Sequence, residues 1–300
     1  MTLQQLKYII IVAETGSITE AAKRLFISQP SLSNSIKEIE KEAKITIFNR
    51  SRQGIALTKE GMEFLGYARN VVQQMEQLEN RFISNEPAKL RFGVSTQHYT
   101  FTSNAFVELV KRFGQERYEF ILNETQTIQI MEDVKNRLSD IGILFISKGN
   151  EAIIKKELTD RHLLFNELFV AKPHVFMFAK HPLAYERTVT LSDLQKYPRL
   201  NFIQGSYESS YLSEELFSNV RSDKIIRVSD RGAIVNLMIG MNAYTISSGI
   251  FPRYLQGDSI ISVPLKEDEE MRIGYIINDN QELSELAKIY IEELRQYGDS

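Results

Sequence analysis

Residues 16–36 read GSITEAAKRLFISQPSLSNSI, and this stretch decides the fold of the N-terminal part of the chain. Gly16 is typical of the end of a preceding amphipathic helix, and Ser17 is typical of the N-cap of a second one. Ser28 followed by Pro30 predicts the start of a third helix, because proline is favoured in a first helical turn. The pattern therefore predicts three short helices joined by tight turns, which is the helix-turn-helix arrangement.

The third predicted helix presents a polar face beside its apolar stripe of Leu32, Ile36 and Ile39. Asn and Gln side chains can bond adenine bidentately, Lys can reach guanine, and Ser can bond either base. A three-helix bundle with a merely solvated polar face remains open on periodicity alone. The candidate DNA-contacting residues of this helix are Ser28, Gln29, Pro30, Ser31, Ser33, Asn34 and Lys37.

A basic turn follows the third helix and favours DNA over the bundle alternative. Residues 45–48 and 55–57 are predicted as two short strands, with residues 49–54 as the turn between them. Arg50 and Arg52 lie in that turn, where a guanidinium could reach phosphate or the minor groove. The sequence therefore predicts a winged helix-turn-helix domain over residues 1–58.

Residues 59–86 have the pattern of one long helix, for which Thr58 is the predicted N-cap. Its apolar positions alternate spacings of four and three, as in a heptad seam. Packing against its own domain is the alternative, but the largely polar remainder favours pairing with a second copy, in a homodimer or homotetramer. The predicted dimerisation residues are Phe64, Ala68, Val71, Met75, Leu78 and Phe82.

Composition sets limits on the class of protein. The 300 residues include no cysteine, which excludes a disulfide framework, thiolate catalysis and a cysteine zinc site. Residues 1–60 carry nine basic against six acidic side chains, whereas the whole chain has a net charge of −3. The N-terminus lacks the features of a signal peptide, and no apolar run approaches the roughly 20 residues of a membrane helix. A cytoplasmic protein without membrane contact is therefore expected.

Strand-like and helix-like segments alternate from residue 90, which predicts mostly parallel α/β sheet in two small lobes. Ligands of open α/β sheets bind beyond the carboxyl ends of the strands. Polar side chains follow four predicted strands there, although each could be an ordinary helix cap. Their hydroxyls, amides and free N–H groups favour a small anion such as a carboxylate. The candidate effector-binding residues are Ser95, Thr96, Gln97, His98, Thr127, Gln204 and Ser248.

Taken together, the motifs of residues 16–36, the wing and the segment Leu57-Thr58-x-x-Gly61 resemble the LysR-type transcriptional regulators. Two departures stand out: Asn34 lies where the family often has arginine, and Ala43-Lys44 lies where it usually has Leu-Gly.

The resemblance implies an α+β protein. It would consist of the winged helix-turn-helix domain, a long linker helix and, over residues 90–300, a two-lobed α/β effector domain like periplasmic binding proteins. Lobe I would comprise residues 90–166 and 268–300, and lobe II residues 167–267. The expected partners are double-stranded DNA, a small-molecule effector, further copies of the chain and RNA polymerase, and no cofactor is expected.

Two other classes of protein are alternatives. A metabolic enzyme with a fused DNA-binding head would need a catalytic constellation, but the four histidines are scattered and no nucleotide, hydrolase or metalloprotease motif occurs. A solute-binding protein with a helical adaptor would need an export signal. A DNA-binding regulator, in which ligand-biased lobe closure moves the paired reading heads, is the preferred hypothesis.

Overall fold

The computed structural model of the chain describes residues 1–51, 54–82, 89–114, 117–205, 210–250 and 259–299. These fall into two compact units, Met1–Lys89 and Leu90–Ser300. None of the helices in the described ranges combines the length and the apolar character needed to cross a membrane.

Three helices open the first unit: α1 Leu3–Thr15, α2 Ile18–Arg24 and α3 Gln29–Ala43. The predicted end of α1 and the predicted N-cap of α2 are confirmed. Gly16 ends α1 in the left-handed conformation with φ of 62°, and the Ser17 hydroxyl accepts a hydrogen bond from the Glu20 N–H. Lys44 ends α3 with φ of 55°, so a lysine adopts the conformation that glycine takes most easily.

The wing is an antiparallel pair of strands, β1 Phe48–Ser51 and β2 Gly54–Leu57. The predicted first strand, 45–48, is therefore wrong, because pairing begins at Phe48 and runs through residues that the sequence assigned to the turn. The cause lies in α3: the Glu40 carboxylate accepts from the backbone N–H groups of Ile47 and Phe48, at 2.8 and 3.1 Å.

Helix α4, Lys59–Phe82, starts at the predicted cap, where the Thr58 hydroxyl accepts from the Gly61 N–H at 2.8 Å. Glycine is required at position 61, because an added Cβ would lie 2.1 Å from the carbonyl oxygen of Ile47. Further along, Ala68 and Val72 of α4 pack with Leu6 of α1. Helix α4 is thus part of the packed first unit.

Lobe I of the second unit is a five-stranded sheet in the order β4-β3-β5-β12-β6, flanked by helices. Strands β3, β4 and β5 are parallel, and β12 pairs antiparallel with both β5 and β6. Its elements are β3 Leu90–Thr96, α5 Thr100–Arg112, β4 Tyr118–Glu124, α6 Thr127–Lys135, β5 Ile141–Ile146, α7 Glu151–Thr159, β6 Leu163–Ala171, β12 Met271–Asn278 and α10 Glu285–Arg295.

Lobe II is a second five-stranded sheet, in the order β11-β7-β10-β8-β9. Strand β10 is parallel to β8, β8 is parallel to β9, and β7 is antiparallel to β10 and β11. Its elements are β7 His174–Phe178, α8 Leu191–Leu194, β8 Arg199–Phe202, β9 Ile225–Val228, α9 Arg231–Met241, β10 Tyr244–Ser247 and β11 Ile260–Pro264.

Two expectations about this unit need correction. Both sheets are mixed rather than mostly parallel. The chain passes from one lobe to the other twice, and the strands next to these passages, β6, β7, β11 and β12, pair antiparallel with their neighbours. The first crossing follows Ala171 instead of residue 166, since β6 continues through the lobe I sheet to that residue. Strand β6 lies at the edge of its sheet, and its polar Asn166 and Glu167 concealed it in the sequence.

Candidate functional site

The N-terminus of α3 carries the predicted reading face. The Ser28 hydroxyl caps the helix by accepting from the Ser31 N–H at 3.2 Å, and the two serine hydroxyls lie 2.8 Å apart. Gln29, Asn34 and Lys37 are exposed, as are Pro30 and Ser31. These residues form a continuous polar surface at the start of one well-capped helix.

Ser33 does not belong to that surface. Only 8% of it is exposed, because the buried stripe of α3 is wider than the apolar residues alone indicate. Ser33 lies three residues before Ile36, about 60° from it around the helix, at the margin of the buried stripe. The prediction that Ser33 lies on the exposed polar face is therefore wrong.

The wing residues are only partly described. Arg50 lies in β1, while its side chain and the whole of Arg52 fall outside the described residues. Glu40 fixes the base of the wing to α3 through the two backbone hydrogen bonds given above. The position of the wing relative to the reading helix is thus set by a side chain of that helix.

The predicted seam of α4 divides between two environments. Ala68 is 2% exposed and packs against α1 within its own unit, so its assignment to a dimer interface is wrong; Phe64 also packs there. Val71 and Leu78 remain 50% and 48% exposed. Met75 is half-buried, and the Phe82 side chain lies outside the described residues. The side chains of α4 that face α1 follow the 3.6-residue period of an α-helix. This period coincides with the 3.5-residue period of a heptad seam at some positions only.

Lobe I contributes a chain of hydrogen bonds at the ends of its strands. The Gln97 amide donates to the Thr127 hydroxyl at 2.7 Å, and its oxygen accepts from the Tyr99 hydroxyl at 2.9 Å. The backbone N–H of Thr127, at the start of α6, donates to the Gln204 amide oxygen of lobe II at 3.1 Å. Three of the predicted residues therefore meet across the two lobes.

Three other predicted effector residues, Ser95, Thr96 and Ser248, make local hydrogen bonds instead. The Ser95 hydroxyl donates to Asp133 of α6 at 2.6 Å and lies 2.8 Å from the Ser139 hydroxyl, so it is paired within lobe I. The Thr96 hydroxyl donates to the carbonyl of Gln97 at 2.8 Å. Ser248 is buried beyond β10, outside this network, where its hydroxyl accepts from the Ile250 N–H. Ser95 and Ser248 thus serve local structure.

The centre of the network is Glu214, which the sequence did not indicate. Its carboxylate accepts from the His98 backbone N–H at 2.8 Å, lies 2.8 Å from the His98 Nδ1 and accepts from the Gln204 amide at 3.0 Å. The His98 ring stacks on Phe202 with centroids 3.8 Å apart. Burial lowers the pKa of His98, but the hydrogen bond and the charge of Glu214 outweigh it, and the pKa is raised.

Glu214 belongs to residues 210–217, which we call the bridging segment. This segment leaves lobe II, and Leu212 packs in the lobe I cluster around Ile130 and Met131. The Thr127 hydroxyl donates to the Leu212 carbonyl at 2.8 Å. The bridging segment therefore ties the two lobes together with both apolar and polar contacts.

Glu215, the next residue, is also buried, with 4% of it exposed. It accepts from the Phe202 N–H at 2.8 Å and from the Ser213 hydroxyl at 2.6 Å. Burial, followed by the charge of Glu214, raises the pKa of Glu215 to about 7. Two adjacent buried carboxylates thus lie where the lobes meet.

A cavity that is partly open to solvent lies against this pair. Lobe I contributes His98, Tyr99 and Thr100, while the rest of the wall comes from lobe II and the bridging segment. His98 is the one predicted effector residue on the wall. The lobe II side chains of the wall are Phe176, Phe202, Arg231, Ile234, Val235, Met238, Thr245, Ile246, Ser247 and Ile260.

A winged helix-turn-helix unit followed by a two-lobed α/β unit with a cavity between the lobes defines a class, the ligand-responsive DNA-binding regulators. The particular family follows from comparison with known proteins. Residues 3–62 match the model of the "Bacterial regulatory helix-turn-helix protein, lysR family", and residues 86–299 match that of the "LysR substrate binding domain". The chain belongs to the LysR family of transcription regulators.

Individual relatives agree. The chain is 31% identical over 217 residues to the HTH-type transcriptional regulator YvbU of Bacillus subtilis, covering 71% of this chain and 69% of that one. It is 30% identical to AlsR of the same organism, covering 71% and 68%. The crystal structure of CbnR, a LysR family regulator, superposes with a TM-score of 0.64 at 17% identity, covering 99% of each chain. These relatives are regulators and not enzymes, which decides against the enzyme alternative.

Proposed function

We propose that the chain is a cytoplasmic, homo-oligomeric regulator whose binding to operator DNA changes when a small, dissociable molecule occupies the cavity between its lobes. One observation carries the proposal: Glu214 of the bridging segment accepts hydrogen bonds from His98 of lobe I and Gln204 of lobe II, and His98 and Glu214 line the cavity. A ligand that contacts this group would change the free energy of lobe closure. Such a differential contact is what couples two sites.

The DNA side rests on α3 and the wing. Asn34 is exposed on the reading face, and an amide there can specify adenine, whereas an arginine at position 52 would mainly neutralise phosphate. A structure with target DNA exists for CbnR. Two copies of the chain, paired through the exposed part of α4, would place two reading helices on successive major grooves about 34 Å apart. RNA polymerase is the further protein partner expected of such a regulator.

The DNA assignment is tested by binding to the region upstream of the protein's own gene. Asn34→Ala should lower discrimination between operator variants at one base position by roughly 5- to 150-fold, the equivalent of about 1–3 kcal/mol. Arg52→Ala should weaken all sequences alike and reduce the salt slope by about 1. Glu63→Gln, an exposed carboxylate on α4, is the control. If neither Asn34→Ala nor Arg52→Ala alters binding, α3 and the wing are not the reading head.

A further inference from the structure

The cleft already contains an anion. The His98 N–H and the Gln204 amide, donors that an anionic effector would need, both bind the carboxylate of Glu214. The Thr127 N–H donates to Gln204, and the Gln97 amide donates to the Thr127 hydroxyl. An effector carboxylate would have to displace Glu214 or lie unpaired beside it. The His98 and Gln204 donors expected to hold an anionic effector are therefore already paired with a carboxylate of the chain.

What remains open is the cavity beside the two carboxylates, and its wall is largely apolar. Phe176, Ile234 and Met238 are among its lining side chains. Arg231, also on the wall, pairs with Glu124 and donates to the Tyr99 carbonyl at 3.0 Å through the same terminal nitrogen, whereas its Nε is buried without a hydrogen-bond partner. The cavity thus offers apolar surface with an acidic end.

We propose that this cavity binds an apolar amine, with its ammonium group directed to Glu214 and Glu215 and its hydrocarbon body packed against the lobe II wall. The inference rests on the proposed function, because it names the chemical class of the effector of that same site. Two adjacent carboxylates repel each other when both are ionised, and a cation between or beside them removes that repulsion. A buried ammonium is stable only when it is paired, and these two carboxylates would provide the pairing.

The protonation of Glu215 gives this proposal a distinctive signature. With its pKa at about 7, Glu215 is largely protonated at pH 6 and largely ionised at pH 8. An ammonium ligand favours the ionised form, so its affinity should rise about tenfold between these pH values, whereas an anionic ligand shows the reverse. The charged or titratable groups around the pair are His98, Tyr99, Glu124, Arg199, Arg231 and Tyr244.

Calorimetric titration of the full chain with three matched probes tests the ligand class. The probes are 3-phenylpropylamine, 3-phenyl-1-propanol and 3-phenylpropanoate, which share a body and differ in the head group. We expect the amine to bind at least about tenfold more tightly than the carboxylate at pH 8, with the alcohol between them. Equal or tighter binding of the carboxylate, or no binding of the amine at millimolar concentration, would overturn the proposal.

Variants locate the ammonium site. Glu215→Gln should reduce the pH dependence of amine affinity to the part that His98 contributes, and Glu214→Gln should lower that affinity by at least about tenfold. Glu186→Gln, an exposed carboxylate of lobe II, should change neither. Should either cleft variant fail to fold, the pH dependence of amine binding to the unaltered chain still decides the matter. A flat or falling affinity from pH 6 to pH 8 contradicts the assignment.

Measurement of operator affinity with the same probes separates this inference from the proposed function. If the amine binds in the cavity but leaves operator affinity unchanged, the ligand class stands and the coupling to DNA is wrong. If the carboxylate binds there and alters operator affinity, the coupling stands and the ligand class is wrong.

Discussion

Replacing Glu215 by glutamine should stabilise the protein above neutral pH and leave it nearly unchanged in mild acid. Glutamine has almost the same shape and keeps an oxygen to accept from the Phe202 N–H. Its new amide N–H₂ also has an acceptor at hand, because the Asn201 oxygen is buried without a hydrogen-bond partner and the Asn201 amide lies 3.3 Å from Glu215. The substitution therefore removes the charge, and the groups around it stay paired once the Asn201 amide turns over and the Ser213 hydroxyl accepts instead of donating.

The size of the effect follows from the pKa of Glu215, which rises from 4.5 to about 7 on folding. One pKa unit corresponds to about 1.36 kcal/mol, so ionisation of this carboxyl costs the folded state about 3 kcal/mol above pH 7. Because the folded pKa is raised, the unfolded chain loses its proton first, and stability declines as the pH rises from about 4.5 to 7. The glutamine variant has no such decline. Its advantage should be below about 1 kcal/mol at pH 5 and about 3 kcal/mol at pH 8.

Urea unfolding followed by circular dichroism at pH 5 and pH 8 measures this difference, with Glu186→Gln as the exposed control. His98, whose pKa is also raised, contributes stability that is lost as the pH rises through its folded value, in both proteins. The comparison of variant with parent at each pH therefore isolates Glu215. A gain of equal size at both pH values, or destabilisation at both, would refute the account of Glu215 as a carboxyl kept protonated by burial.

Four further variants have expected outcomes. Lys44→Gly should raise the free energy of unfolding by roughly 0.5–1 kcal/mol in calorimetry, because relief of the left-handed conformation exceeds the added chain entropy. Gly61→Ala should lower the melting temperature, since its Cβ meets a backbone carbonyl at 2.1 Å, whereas Gly240→Ala, with nothing within 4 Å in α9, should raise it slightly. Val71→Asp combined with Leu78→Asp should reduce the mass measured by light scattering; an unchanged oligomer would show that exposed α4 is not the interface.

Local chemistry explains which elements were predictable. The caps at Ser17, Ser28 and Thr58 depend on bonds that span three residues, and all three form where the sequence places them. Ser33 and Ala68 were misplaced because their burial depends on which neighbouring helix covers them. Helical periodicity gives the direction of a side chain but not the width of the surface that a partner hides.

The polar residues at the strand ends show a different limit. The sequence correctly predicts that Gln97, His98 and Thr127 lie at one edge of lobe I. It shows their hydrogen-bond donors, but it does not show the acceptors that distant parts of the chain supply to them. Glu214 lies 116 residues beyond His98 and reaches it only because the bridging segment crosses between the lobes. An exposed donor set predicts an anionic ligand, whereas one already paired with a carboxylate leaves an acidic cavity and predicts the opposite charge. The chemistry of the effector therefore depends on the charge that remains after internal pairing, which is a property of tertiary structure.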